Sequence, residues 1–225
     1  MLPAPVEIFH PFDLTTTLIK KMILGPRTPV IALFVAAGLT ATPALAQSED
    51  GARIAMQICS GCHGVGGRSE SPMFPKLNAQ TPEYIETQLK GFREHARGEN
   101  TARDYMWGMA ALLDEAAVKS LAAYFSHQPA TRGASGDAAL TAKGQEIFEH
   151  GVPDKGVPAC ATCHGAQGQG AGTFPRLAGQ HKEYLLHQIE VFKNGTRGNA
   201  PVMSAVAHTL NDEQAKAVAV YLQSR

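Results

Sequence analysis

Apolar residues recur at helical spacing in three stretches of the chain, and the same three stretches return about a hundred residues later. The first covers residues 51–58, where Ile54 and Ile58 supply the apolar face, and its counterpart covers 141–149 with Ile147 and Phe148. A second helix is expected to begin near Thr81-Pro82 and again near His181. Threonine can cap a helix and proline suits its first turn. The third begins at Asp114 and at Asn211, both residue types that cap, and carries Val118, Leu121, Ala122 and Phe125 on one side. Its counterpart carries Ala215, Val218, Ala219 and Leu222. No alternating pattern long enough for a strand lies between these stretches, so the expected class is all-α with Gly- and Pro-rich loops.

The recurrence reaches individual residues. Cys59-Ser60-Gly61-Cys62-His63 matches Cys160-Ala161-Thr162-Cys163-His164, and Phe74-Pro75-Lys76-Leu77 aligns with Phe174-Pro175-Arg176-Leu177 at an offset of 100. The same offset pairs Glu83-Tyr84 with Glu183-Tyr184, Gln88 with Gln188, Phe92 with Phe192 and Arg97-Gly98 with Arg197-Gly198. After a three-residue insertion in the first half the offset becomes 97, and Met106, Ala110, Leu113 and Tyr124 meet Met203, Ala207, Leu210 and Tyr221. Ordered matches on this scale indicate a duplication. Two domains are therefore expected, 47–127 and 140–225, joined by a breaker-rich connector over 128–139.

The first 46 residues have a different character. Lys20, Lys21 and Arg27 precede an apolar run from Val30 to Leu39, which leads into Thr42-Pro43-Ala44-Leu45-Ala46. That order is expected of a secretory signal cleaved after Ala46, and Met22 stands where a signal of ordinary length would start. The run is shorter than the roughly 20 residues a membrane-spanning helix needs. Export to the periplasm is the reading; peripheral association with the membrane and the oligomeric state stay open. A formal net charge of zero over 225 residues gives no basic surface of the kind that nucleic acid requires.

Four cysteines in an exported chain would ordinarily suggest two disulfides. Their placement argues for something else. Thiols at i and i+3 project from one side of a helical turn, so both can reach the vinyl groups on one edge of a porphyrin, and the next residue is a histidine able to bind iron. Cys59 and Cys62, and Cys160 and Cys163, are thus candidates for covalent attachment of two haem c groups, with His63 and His164 as iron ligands. A single four-thiolate zinc site would leave both histidines unexplained, and a redox dithiol belongs on a mixed α/β scaffold that this pattern lacks. Covalent haem would also reinforce domains of only about 80 residues.

The second half has one methionine, Met203, beyond its middle helix on the side from which a distal ligand must come. The first half offers Met56, Met73, Met106 and Met109; the repeat favours Met106 over Met109, with Met56 read as core packing and Met73 as incidental. The histidines of the two halves outside the motifs, His95, His127, His150, His181, His187 and His208, do not repeat where a ligand is needed.

With these residues placed, residues 47–225 resemble the dihaem cytochrome c4 family. The run from Pro158 through His164, Phe174-Pro175-Arg176-Leu177-Ala178-Gly179-Gln180, Tyr184, Gln188, Arg197-Gly198 and Met203 is especially close. The resemblance implies two tandem class I cytochrome c-like domains with pseudo-two-fold symmetry, and haem pockets that include Pro75, Leu77, Pro175 and Leu177. It implies His63/Met106 and His164/Met203 ligation, proline carbonyls that orient the histidines, and Gly51 and Gly144 where the first helix crosses the last, against Tyr124 and Tyr221. It further implies electron transfer from a quinol:cytochrome c reductase to a terminal oxidase or reductase. The alternatives are a cytochrome subunit of a flavoprotein or other dehydrogenase complex and, more remotely, a dihaem peroxidase.

Overall fold

The computed structural model describes residues 50–225, and the expected signal segment lies outside them. In the first half, α1 is a helical run over 50–63, followed by α2 (Pro82–Arg93), α3 (a run over 100–111) and α4 (Glu115–Ser126). The second half holds α5 (Ala138–His150), α6 (Ala161–His164), α7 (Lys182–Lys193), α8 (Pro201–Thr209) and α9 (Asp212–Gln223). No strand is present among the described residues, only isolated bridges, so the class is all-α as the apolar spacing requires.

Each half is built on a crossing between its first and last helices. A Cβ on Gly51 would lie 2.2 Å from the Ser120 carbonyl oxygen, and one on Gly144 would lie 2.0 Å from that of Ala217. Only a residue without a side chain permits so close an approach. Around these crossings lie separate cores. Ile85, Val118, Leu121 and Phe125 fill the first half, while Phe148, Leu185, Val218, Tyr221 and Leu222 fill the second. A smaller cluster of Phe92, Ala102 and Ala110, flanked by Met106 and Trp107, seats α3.

Helix ends agree with the sequence in two places and differ in a third. Asp114 accepts from the Ala117 amide at 2.8 Å, and Asn211 forms a reciprocal capping box with Gln214. Thr81, expected to cap α2, holds the cap position without a side-chain bond to it; its hydroxyl donates instead to the Gly172 carbonyl of the other half at 2.6 Å. Met56, expected in the core, is 51% exposed, and Ile58, expected on the apolar face of α1, is 43% exposed at the mouth of a cleft.

Two further features escaped the periodicity. An additional helix in each half, α3 and α8, carries Met106 and Met203; Pro201 at the start of α8 is the local signal that marks it. The segment 128–137 is also not a loose tether. Its Pro129 carbonyl accepts from Asn78 at 2.7 Å, its Ala134 carbonyl accepts from Gln223 at 3.2 Å, and α5 already begins at Ala138 under an Asp137 cap.

Gly144→Ala is expected to force α5 and α9 apart and to destabilise the second half by about 1–3 kcal/mol, the usual range for overpacking. A drop in its thermal midpoint with the first half unaffected would bear this out.

Candidate functional site

The two Cys-x-x-Cys-His motifs are reached by different routes and end alike. In the first half α1 runs straight into the motif, wound as π-helix over Ala55–Cys59 and as α-helix over Ser60–His63. In the second half α5 stops at Gly151, whose φ of 74° a side chain would strain, and a tight loop leads to the separate α6. Each motif then ends on a glycine with positive φ, Gly64 and Gly165.

All four cysteines are free thiols, with Cys59 and Cys160 half-buried and Cys62 and Cys163 exposed. Burial, with the neighbouring Cys62, pushes the Cys59 thiol up to about 11. Cys160 is raised to about 11, again chiefly by burial. Burial of these two thiols makes them poorer nucleophiles than an exposed redox dithiol, which counts against the dithiol reading. Among the described residues, moreover, no group of three or more His, Cys, Asp or Glu stands close enough to hold a metal ion.

Both histidines are buried and oriented. The Nδ1–H of His63 donates to the Pro75 carbonyl at 2.8 Å, and that of His164 to the Pro175 carbonyl at 3.0 Å. Burial holds both imidazoles below their ordinary basicity, offset in part by these bonds, so both rings are neutral. A neutral ring with Nδ1 engaged leaves Nε2 as the free donor, the arrangement iron requires.

Facing His63 is an open, mainly apolar cleft of about 1240 Å3, counting its mouth. Cys59, Pro75, Leu77, Ile85, Leu113 and Phe125 line it, as do Met106 and Met109. Met106 is the more enclosed of the two methionines, packed beside Phe92, while Met109 is 46% exposed. Met73, expected to be incidental, also lines the mouth. In the second half Leu177 packs against the core around Phe148, and Met203 on α8 is partly buried. Thiols on one side, a neutral imidazole, apolar walls and a thioether fit a covalently held haem.

The cleft does not stop at the first half. Its lining continues through Pro175, Leu177, Tyr184, Leu185 and Gln188. Between the halves, the Gln180 side chain accepts from the Lys76 amide and donates to the Lys76 carbonyl, both at 2.9 Å. Gln80 does the same to the backbone of Arg176, at 2.7 and 3.0 Å. Below this pair Arg97 and Arg197 reach the side chains of both Gln88 and Gln188. Gln88, Gln188, Arg97 and Arg197 appeared in the sequence as repeat matches without a role; the structure makes them the interface.

The sequence matches the Cytochrome c family twice, over residues 48–129 and 141–225. It is 39% identical over 188 residues to cytochrome c4 of Thiocapsa roseopersicina, covering 81% of this chain and 95% of that one. The chain belongs to the dihaem cytochrome c4 family. A cytochrome c4 structure from Acidithiobacillus ferrooxidans, 42% identical, superposes with a TM-score of 0.70 over 74% of this chain and 98% of that one. A protein of Thiomonas intermedia named thiosulfate dehydrogenase electron acceptor is 36% identical over 74% of this chain and 78% of its own length. As a cytochrome c4, this protein carries two covalently bound haem c groups and transfers electrons; it is a carrier, not an enzyme.

Replacing Cys160 and Cys163 together by alanine is expected to leave one haem per chain, read as a mass lower by one haem, with the first half still loaded. Gln180→Leu removes both hydrogen bonds to Lys76, worth about 0.5–1.5 kcal/mol each, and a third from the His181 amide. Faster amide exchange at Lys76 is the expected sign.

Proposed function

We propose that this cytochrome c4 is a periplasmic shuttle that passes single electrons between a quinol-oxidising complex and a terminal oxidase or reductase. The observation that carries the reading is the continuity of the cleft, which runs from His63 and Met106 across the interface to Leu177 and Leu185. Residues 1–46 act as the export signal, 47–127 and 140–225 as the two haem domains, and 128–139 as the connector.

When bound, each haem supplies an iron that gains or loses one electron. Everything else falls to the chain. Cys59 and Cys62, with Cys160 and Cys163, fix the macrocycle by thioether bonds. His63 and His164 are held by Pro75 and Pro175 so that little rearrangement accompanies a change of charge. Met106 and Met203 would hold the iron through their thioethers, which would raise the reduction potential relative to stronger donors. With His63 or His164 and a methionine both engaged, a haem would have no position left for a substrate, which favours a carrier over a peroxidase. Pro75, Leu77, Pro175 and Leu177 keep water from the ring.

The Thiomonas relative supports a second reading, in which the immediate donor is a dehydrogenase rather than a quinol-oxidising complex. Stopped-flow reduction of the purified protein by quinol-energised membranes separates the two: rapid reduction without an added dehydrogenase is expected, and reduction only when a copurifying dehydrogenase is supplied would transfer the protein to the second reading. Ligation is tested separately. Met106→Ala and Met203→Ala should each abolish half of the weak red absorption typical of sulfur-ligated ferric haem, whereas Met109→Ala should leave it intact.

A further inference from the structure

The first copy of the repeat holds a contact beside its candidate ligand that the second copy cannot make. The His95 and Trp107 rings lie nearly parallel, with 3.7 Å between centroids and 13° between planes. At the equivalent places in the second half stand Gly195 and Ser204, and neither has a ring to stack. Trp107 is the one tryptophan of the chain and directly follows Met106. Holding a histidine at position 95 strains the backbone. Among the described residues Ala79 and His95 alone have positive φ without being glycine, at 56° and 58°, and the second half has glycine at both places, Gly179 and Gly195. That region disfavours any residue with a Cβ, and such strain persists only where the surroundings enforce it. Alanine brings a methyl group in exchange; histidine brings the ring that Trp107 meets.

The stack ties α3 to the turn that leaves α2. The His95 amide donates to the Phe92 carbonyl at 3.1 Å, so the histidine sits directly on the end of α2. Two residues on, the Arg97 carbonyl accepts from the Trp107 indole N–H at 2.8 Å. Trp107 is thus anchored twice to residues 95–97, once through its ring face and once through its nitrogen. α3 has little else to hold it. It is wound as a π-turn over Ala102–Met106, wider than an α-turn, and rests on a small cluster of Phe92, Ala102 and Ala110. Its counterpart α8 is a regular helix that opens on Pro201. An anchored side chain next to Met106 restricts any rotation of α3 that would carry the thioether out of the cleft facing His63.

We propose that His95 and Trp107 form a clasp that keeps the Met106 thioether seated on the iron of the first haem. Neither residue lines the cleft, so both are positioning residues that act through Met106. The clasp biases the balance between a seated and an unseated methionine. The proposal rests on ligation of the first haem by Met106 and adds to it the pair of side chains that holds the ligand in place.

Displacement by imidazole from the ferric, haem-loaded, full-length protein tests it, with haem content per chain measured for every variant. The parent is Met203→His, or Met203→Ala if the first does not load two haems; its second iron has no thioether, so the red absorption of sulfur-ligated haem reports on the first haem alone. Imidazole reaches that iron only when Met106 is unseated, and its half-displacing concentration therefore follows the seated fraction. His95→Asn removes the ring while keeping a residue type that tolerates positive φ. It should lower the half-displacing concentration about two- to tenfold, the range that a pair of stacked rings supplies. Trp107→Leu should lower it at least as far, and adding His95→Asn to Trp107→Leu should change nothing more, because the histidine has already lost its partner. His95→Phe should restore the parent value. The thermal midpoint of His95→Asn should match that of the parent, which separates seating of the ligand from general stability. A half-displacing concentration unchanged in His95→Asn, one lowered only together with the thermal midpoint, or a full additional effect of His95→Asn on top of Trp107→Leu overturns the proposal and leaves the ligation intact. Absence of red absorption from the parent itself overturns ligation by Met106, and the clasp falls with it.

Discussion

The bond from histidine Nδ1 to a proline carbonyl ties the two parts of each haem site together, and it also ties the site to the rest of the molecule. Pro75 accepts from His63, the next residue exchanges two backbone bonds with Gln180 of the other half, and the one after, Leu77, packs into the first core. Three consecutive residues thus orient the histidine, dock the partner half and close the pocket. The second half repeats the sequence through Pro175, Arg176 and Leu177. Any displacement of one half against the other must act on residues adjacent to the ligand bond. A rigid site suits a carrier, because rearrangement on electron gain or loss slows transfer.

The interface so formed is polar, with buried Gln and Arg side chains where a permanent interface would more often be apolar. Buried polar groups stabilise little in net terms, and a partner lost from such a network costs more than the bond was worth. What they supply is register. The Gln80 and Gln180 side chains satisfy backbone groups of residues 176 and 76 only in one relative placement. A sliding apolar contact would have no such preference.

Much of this was legible in the sequence, and the reason is duplication. Residues that satisfy a demand of the haem or of a close helix crossing had to be kept twice, so Cys-x-x-Cys-His, Phe-Pro-x-Leu, Gly51 with Gly144 and Tyr124 with Tyr221 stood out together. The interface was visible only as matches without meaning, because Gln88 and Arg97 gain their partners from residues about a hundred positions away. Thr81 misled for a related cause: the local rule for helix caps was outbid by a tertiary acceptor, the Gly172 carbonyl. Met56 misled because periodicity marks a face of a helix without saying what covers it. The helix bearing Met203 was too short, at nine residues, for periodicity to register, and the one bearing Met106 changes from π-turn to α-helix part-way, which breaks the 3.6-residue spacing.

Where the halves differ shows which distances the fold protects. From Gly51 to Cys59 is eight positions and from Gly144 to Cys160 is sixteen, so the second copy has absorbed eight residues between helix crossing and motif. It does so by ending α5 at Gly151 and closing a loop on the pairing of Val152 with Val157, while the first copy fits its shorter path by widening α1 into a π-turn over Ala55–Cys59. A second π-turn, Ala102–Met106, ends on the candidate ligand next to the three-residue insertion of the first half. Yet the two His-to-Pro bonds differ by only 0.2 Å, at 2.8 and 3.0 Å. Insertions were therefore tolerated wherever a loop or a widened turn could take up the slack, and the histidine-to-proline bonds stayed in place.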